Sequence, residues 1–395
     1  MNHGKYVFSQ LIEFLPQRVF DRLTSKYSGN KSVKHFTCWN QLLCMIFGQL
    51  SARESLRDLI IVIEAHQSKS YHLGFGKNVT RSNLSKANEN RNYKIFEEFA
   101  NHLILIAQDR KSNDSFEIKG NIYAFDSSTI DLCLSVFCWA HFRKTKAGIK
   151  LHTLFDINTQ IPVFIHITEA NVHDVNAMDV IDYEPFAYYI FDRAYVDYNR
   201  LFRITKANAY FVVRAKSNVK FKRMYSRKID KTSGIKYDQI GKIEGFYTSK
   251  DYPEKIRKVK FFDTENKKML VFLTNNFELS AQDIALLYKQ RWQVELFFKW
   301  IKQHLKVKTF WGTTENAVRI QINVAIVTYC LVSIIAKDLK INRSTYEILQ
   351  ILSASLLDKT SINELLMKSD YNNVNEQNTN QLAFNLYYVD TRDKT

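Results

Sequence analysis

The sequence predicts an α/β protein in which a mixed sheet of about five strands is flanked by helices, interrupted by a β-rich insertion and preceded by an all-helical region. Three observations carry this. Apolar residues recur at helical spacing up to about residue 117, and short β-branched runs alternate with helical stretches after it. Residues 216–275 then interleave aromatic and β-branched residues with Lys and Arg at strand period. The implied units are a helical domain over 1–117, an α/β domain over 118–340 holding the insertion, and a helical segment with a polar tail over 341–395.

In the first unit, Leu11, Ile12, Val19, Phe20 and Leu23 flank Pro16, which predicts a break. Trp39–Leu50 is strongly apolar, and Ser51-Ala-Arg-Glu54 offers a capping box for a helix carrying Leu56, Leu59, Ile60 and Ile63. Gly74 and Gly76 punctuate, and Thr80 caps TRSNLSKANENRNYKIFEEF. Arg81, Ser82, Asn83 and Lys86 form either the exposed face of a helix-turn-helix recognition element or an ordinary solvated helix start. A polar break follows at Lys111–Ser115.

Ile122–Phe125 reads as a strand ending in Asp126; Leu151–Asp156 and Ile161–Thr168, joined by INTQ, read as a hairpin. Ala187–Phe191 is a strand ending in Asp192, Val196–Lys206 a helix, and Tyr210–Val213 a strand. The order is β, β, β, helix, β, helix, β. After the insertion, Leu287–Lys302 has no Gly or Pro and predicts one helix, with Leu287, Val294, Phe298 and Ile301 as its apolar stripe. Tyr288, Arg291, Glu295 and Lys302 share a second, polar face. Ile320–Ile335 is apolar but shorter than the roughly 20 residues a bilayer span needs, so it predicts a buried core helix. Thr345–Leu366 is helical, and the Asn-rich tail from Ser369 reads as loop.

Lys and Arg total 56 against 40 Asp and Glu, a formal charge of +16, which points to a polyanionic partner, most often nucleic acid. The five cysteines are scattered and odd in number, as in reduced intracellular proteins. Cys133, Cys138, His141 and His152 match no standard zinc spacing. No secretory signal opens the chain, so a soluble, cytoplasmic protein without a membrane partner is expected.

Asp126 and Asp192 each follow an apolar strand, the end of an α/β sheet where ligands bind; the plainer reading is a turn or cap residue. With Glu295 on a partly buried helix they make three acids, which repel one another unless cations lie between them. Hard oxygen ligands favour Mg2+ or Mn2+, and two such ions stabilise both the attacking and the leaving oxygen in phosphoryl transfer. Arg291 and Lys302 would hold phosphates beside them. The plainer reading of the helix is an Arg291–Glu295 ion pair at i,i+4.

The spacing Tyr288-x2-Arg291-x3-Glu295-x6-Lys302 resembles the Tyr-Arg-Glu-Lys signature of a large family of bacterial insertion-sequence transposases. FDSSTIDL around Asp126, GIKLHTLFD and DRAY at Asp192–Tyr195 resemble that family's blocks in the same order, over about 120–335, and RSNLSKANENR extends the likeness upstream. The resemblance implies an RNase H-like core, with Asp126, Asp192 and Glu295 as the catalytic acids holding two Mg2+ or Mn2+ ions. Tyr288, Arg291 and Lys302 would contact transposon-end phosphates. Lys150 and Arg193, inside these blocks, are further DNA contacts, with His173 and Tyr195 behind the metal ligands; Arg81, Asn83 and Lys86 are assigned base readout. Cut-and-paste transposition is implied: binding of terminal inverted repeats by a homodimer on paired ends, strand cleavage through hairpin ends, and joining of 3′-OH ends to target DNA. Two departures stand out: Ala194 where Gly is frequent, and no tryptophan in the insertion. The competing readings are another RNase H-like nuclease, such as a junction resolvase, and a catalytically silent DNA-binding relative.

Overall fold

The computed structural model describes residues 4–77, 79–110, 118–143, 146–304 and 310–367. The break at Lys111–Ser115 and the tail from Ser369 lie outside them. Among the described residues before 118 every regular element is helical: α1 Val7–Ile12, α2 Gln17–Lys26, α3 Cys38–Leu50, α4 Leu56–Ala65, α5 Arg81–Asn90 and α6 Lys94–Asp109, with one 3-10 turn. Pro16 separates α1 from α2 as anticipated. The capping box does not fall at Ser51–Glu54. Ser51 ends α3, donating its hydroxyl to the Phe47 carbonyl at 2.7 Å, and Ser55 caps α4 by accepting from the Asp58 N–H. Ala52, at a φ of 54°, makes the reversal that pushes the cap downstream. Thr80 caps α5, accepting from the Asn83 N–H.

The strands are β1 Ile122–Leu132, β2 His141–Arg143, β3 Lys146–Asp156, β4 Ile161–Glu169, β5 Tyr188–Phe191, β6 Tyr210–Arg214, β7 Phe221–Ser226, β8 Ile235–Ile243, β9 Ile256–Asp263 and β10 Lys268–Thr274. The expected five-stranded mixed unit is present as β4-β3-β1-β5-β6, with β1 antiparallel to β3 and parallel to β5, and β5 parallel to β6. The insertion extends the same sheet: β10 pairs antiparallel with β6 and continues through β9 and β8 to β7. Between β4 and β5 the anticipated helix is only a 3-10 turn, Asp174–Val180. Its polar side chains bond outward to other elements: Asp174 to Ser127 and Lys150, Asn176 to Arg200, and Asp179 to Arg200 and Arg203.

The remaining helices are α7 Tyr198–Lys206, α8 Thr248–Asp251, α9 Ala281–Gln290, α10 Trp292–His304, α11 Glu315–Asp338, α12 Thr345–Ser355 and α13 Ile362–Leu366. Alternation along the central strands splits the core in two. Ile122, Ala124, Tyr188 and Ile190 face α9–α11, while Tyr123, Phe125, Tyr189 and Phe191 face α7. Helix α11 is longer than the apolar window suggested. By length and composition it could cross a membrane, yet 89% of its most apolar stretch is buried inside the protein. It packs on α3, α5, α6, α10 and α12, so the N-terminal helices and the sheet share it as a common wall. The C-terminal segment returns to the N-terminal one: the Val7 N–H donates to the Asp358 carbonyl at 2.9 Å, and Gln10 donates to that of Thr360 at 2.8 Å.

One buried ion pair joins the insertion to the helix that follows it. Arg257, fully buried on β9, grips both carboxylate oxygens of Asp238 on β8 at 2.9 and 2.8 Å and donates to the Leu279 carbonyl at 2.7 Å, just before α9. Removing one partner of such a pair strands a buried charge. Arg257→Ala is expected to cost about 3–5 kcal/mol in urea unfolding, whereas Arg203→Ala, from a surface pair, costs less than about 1 kcal/mol. Equal losses in the two variants would contradict this assignment.

Candidate active site

Asp126 does not end its strand. β1 runs on to Leu132 against β3, and what ends at Phe125 is its parallel pairing with β5, at the pair Phe125↔Phe191. Asp192 follows Phe191 directly and opens the 3-10 turn Arg193–Tyr195. The two acids therefore sit one step beyond the last pair of adjacent parallel strands. By the two-residue period, Asp126 continues the face of Ile122 and Ala124, and Asp192 that of Tyr188 and Ile190. That is the face covered by α9 and α10. Ala194 has no positive φ, so nothing in this turn requires glycine.

The stretch Leu287–Lys302 is two helices rather than one, broken at Arg291. Helix α9 lies over β5 and β6, whereas α10 lies over β1 and against α11; a straight rod cannot follow both parts of a twisted sheet. The anticipated apolar stripe is buried as a unit, with Leu287, Val294, Phe298 and Ile301 all at most 5% exposed. Phe297 packs on Phe155 of β3 and on Tyr329 of α11, at ring distances of 5.3 and 5.0 Å, which clamps α10 between sheet and core helix.

Around the break the polar residues meet the strand acids. Arg291 Nη1 donates to Asp126 Oδ2 at 2.6 Å, and Nη2 donates to Glu295 Oε1 one helical turn on. Tyr288 Oη donates to Asp192 Oδ1 at 3.3 Å. Lys302 Nζ donates to the Thr129 carbonyl at 2.6 Å, tying α10 to β1. The i,i+4 ion pair is thus present, and the same guanidinium also reaches a residue far away in sequence.

Burial pushes the Asp126 carboxyl up to about 6, with the Glu295 and Asp192 charges adding; Arg291 and the Ser127 N–H oppose. Burial also lifts Tyr288 to about 12, helped by Asp192 and opposed by Arg291. On Arg291 burial works downward, but Asp126, Tyr288 and Glu295 outweigh it and raise the guanidinium. Among the described residues no three His, Cys, Asp or Glu side chains lie close enough to enclose an ion as they stand. The acids are gathered on Arg291 rather than in a ready-made metal cage.

The other anticipated residues divide. Tyr195 is buried; its hydroxyl is pushed up by burial and then by the charges of Asp126, Asp174 and Asp192, which places it behind the acids. Lys150 is turned inward: its ammonium donates to the Val172 carbonyl at 2.7 Å and pairs with Asp174 at 3.0 Å, with only 12% of the side chain exposed. Asp174 also accepts from Ser127 Oγ at 2.8 Å, so it is Asp174, rather than its neighbour His173, that braces the strand beside Asp126. Neither Asp174 nor Ser127 is marked by the sequence; a serine next to a strand aspartate carries no signal of its own. Arg193 is exposed. Arg81, Asn83 and Lys86 are exposed on α5, which packs against α3, α4 and α11. Residues 66–80 separate α4 from α5, which is not the tight turn of a helix-turn-helix.

A family model described as the transposase DDE domain matches residues 118–331, from just before β1 into α11. The chain belongs to this family. It is a DDE transposase of a bacterial insertion sequence, and its relatives agree. A Sinorhizobium fredii protein named as a transposase is 35% identical over 273 residues, covering 68% of this chain and 74% of its own. A protein of Geobacillus stearothermophilus, named as a transposase for insertion sequence element IS5377, is 30% identical over 70% of this chain and 75% of its own. One from Synechocystis, named for element IS4SA, is 25% identical over 72% and 80%. A second model, described as a domain of unknown function, matches residues 3–76 of the transposase, from the N-terminus through α4.

The raised Asp126 carboxyl has a direct consequence in the metal-free transposase. A carboxyl with a folded-state value near 6 binds more protons folded than unfolded between its ordinary value and 6, so its contribution to stability falls as pH rises through that window. Carbon-detected NMR of the side chain should show a midpoint near pH 6, moved upward in Arg291→Ala, where the opposing cation is gone. An unshifted midpoint, or a downward move in the variant, would overturn this electrostatic account.

Proposed function

We propose that this transposase cuts and joins DNA by metal-dependent phosphoryl transfer, with Asp126, Asp192 and Glu295 as the catalytic acids. The single observation that carries the reading is the meeting at one guanidinium of Asp126 from β1 and Glu295 from α10, with Tyr288 on Asp192 alongside. The five-strand order β4-β3-β1-β5-β6 supports an RNase H-like core beneath them. The donor set suits hard divalent cations such as Mg2+ or Mn2+: it is all oxygen, and a cation would offset the negative charges of Glu295 and Asp192 that lie beside the buried Asp126. Bound there, a pair of such ions would polarise the scissile phosphodiester and the attacking hydroxyl.

The chain's own residues supply position and charge. Tyr288 orients Asp192 by hydrogen bonding, Lys302 fixes the level of α10 against β1, and Arg291 offers a fork suited to a phosphate. The reaction frees a 3′-OH by water attack at the transposon end. That 3′-OH then attacks the opposite strand to make a hairpin, which is reopened before joining to target DNA. Recognition of the terminal inverted repeats falls to the exposed face of α5, Arg81, Asn83 and Lys86, with Arg193 beside the acids and two protomers holding two ends.

Asp126→Asn, Asp192→Asn and Glu295→Gln are each expected to lower Mg2+-dependent cleavage of terminal-repeat DNA by about a thousandfold or more. End binding should stay within about threefold and fall steeply with salt, since phosphate contacts dominate affinity. Cleavage surviving any one of the three substitutions would remove that residue from the mechanism.

A further inference from the structure

We propose that Arg291 is a built-in stand-in for the divalent cation. In the DNA-free protein its guanidinium fills the space between Asp126 and Glu295, so a cation gains its place only as Arg291 leaves for a DNA phosphate. The inference rests on the reading of the acids as metal ligands and adds an order to their loading.

The geometry supports each part. The two nitrogens of one guanidinium are spent on two carboxylates from different elements, 2.6 Å from Asp126 and in contact with Glu295, with only 16% of the side chain exposed. Two half-buried carboxylates sharing one positive charge cannot give it up unless another replaces it, because an unpaired charge in such a place is costly.

Arg291 is also placed to move. It stands at the junction of α9 and α10 with a right-handed helical backbone (φ −53°, ψ −29°), so its guanidinium can leave by side-chain rotation without unwinding either helix. The Tyr288 ring, 5.8 Å from the guanidinium carbon, offers a face beside which the cation can turn. A phosphate offers the same bidentate geometry that Asp126 and Glu295 share. Phosphate contact and cation binding then favour each other, as linkage requires. Away from transposon ends the acids stay closed on their own arginine, and indiscriminate nicking is suppressed.

Calorimetric titration of the full-length, DNA-free protein with MgCl2 at pH 8 tests this without any turnover. Arg291→Gln and Arg291→Ala should bind Mg2+ about tenfold or more tightly than the unaltered protein, since a site closed nine-tenths of the time loses that factor in apparent affinity. Arg291→Lys, which keeps the charge but reaches one carboxylate at a time, should gain less than Arg291→Gln and guards against a misfolded alanine variant. Equal or weaker Mg2+ binding in the Gln and Lys variants, with unfolding curves unchanged, overturns the stand-in. In the pair Asp126→Asn/Arg291→Gln the gain should disappear. If the gain survives there, the ion binds elsewhere, and it is the assignment of Asp126 as a ligand that fails.

Discussion

A guanidinium held between two carboxylates is the constraint that the rest of this structure serves. Asp126 and Glu295 come from a central strand and from a helix well over a hundred residues later, and like charges do not stay together in a partly buried place without a cation. Arg291 supplies it. Its position one turn before Glu295 makes half of the arrangement local; the other half, the bond to Asp126, exists only because α10 is pressed onto β1. The arginine therefore reports the assembly of the site as much as it stabilises it.

What presses α10 into place is α11, buried on all sides and shared by the sheet and the N-terminal helices. Phe297 and Trp300 of α10 both pack edge-on against Tyr329, whose hydroxyl donates to the Gln160 carbonyl at the β3–β4 turn, 2.8 Å away. A single tyrosine thus links the core helix, the helix carrying Glu295 and the hairpin that supports Asp126. The helical layer that exposes Arg81 and Lys86 leans on the same α11, so the surface proposed to read DNA ends and the acids proposed to cut them rest on one wall.

The insertion also has a structural part. It lengthens the sheet through β10 and, through the buried Arg257–Asp238 pair and the Leu279 carbonyl, sets the point from which α9 departs. Its basic side chains also pack on its aromatic rings. Lys258, for example, lies 5.1 Å over the Phe221 ring.

Much of this was legible in the residues alone. The short apolar runs Ile122–Phe125 and Ala187–Phe191, the Pro16 break, the Thr80 cap and the 3.6-residue spacing of Leu287, Val294, Phe298 and Ile301 are local signals, and each was enough to place its element. Local signals could not show that β1 continues past Asp126, that the helix breaks at Arg291, or that Lys150 turns inward to Asp174. Each of these depends on a partner distant in the chain: β3 for the strand, the diverging supports of β5 and β1 for the helix, and the turn after β4 for the lysine. Sequence determined which residues carry charge and which faces are apolar, because propensity and periodicity act over a few residues. Only the tertiary structure decided which acid meets which base, because that follows from how the packed layers bring remote segments into register.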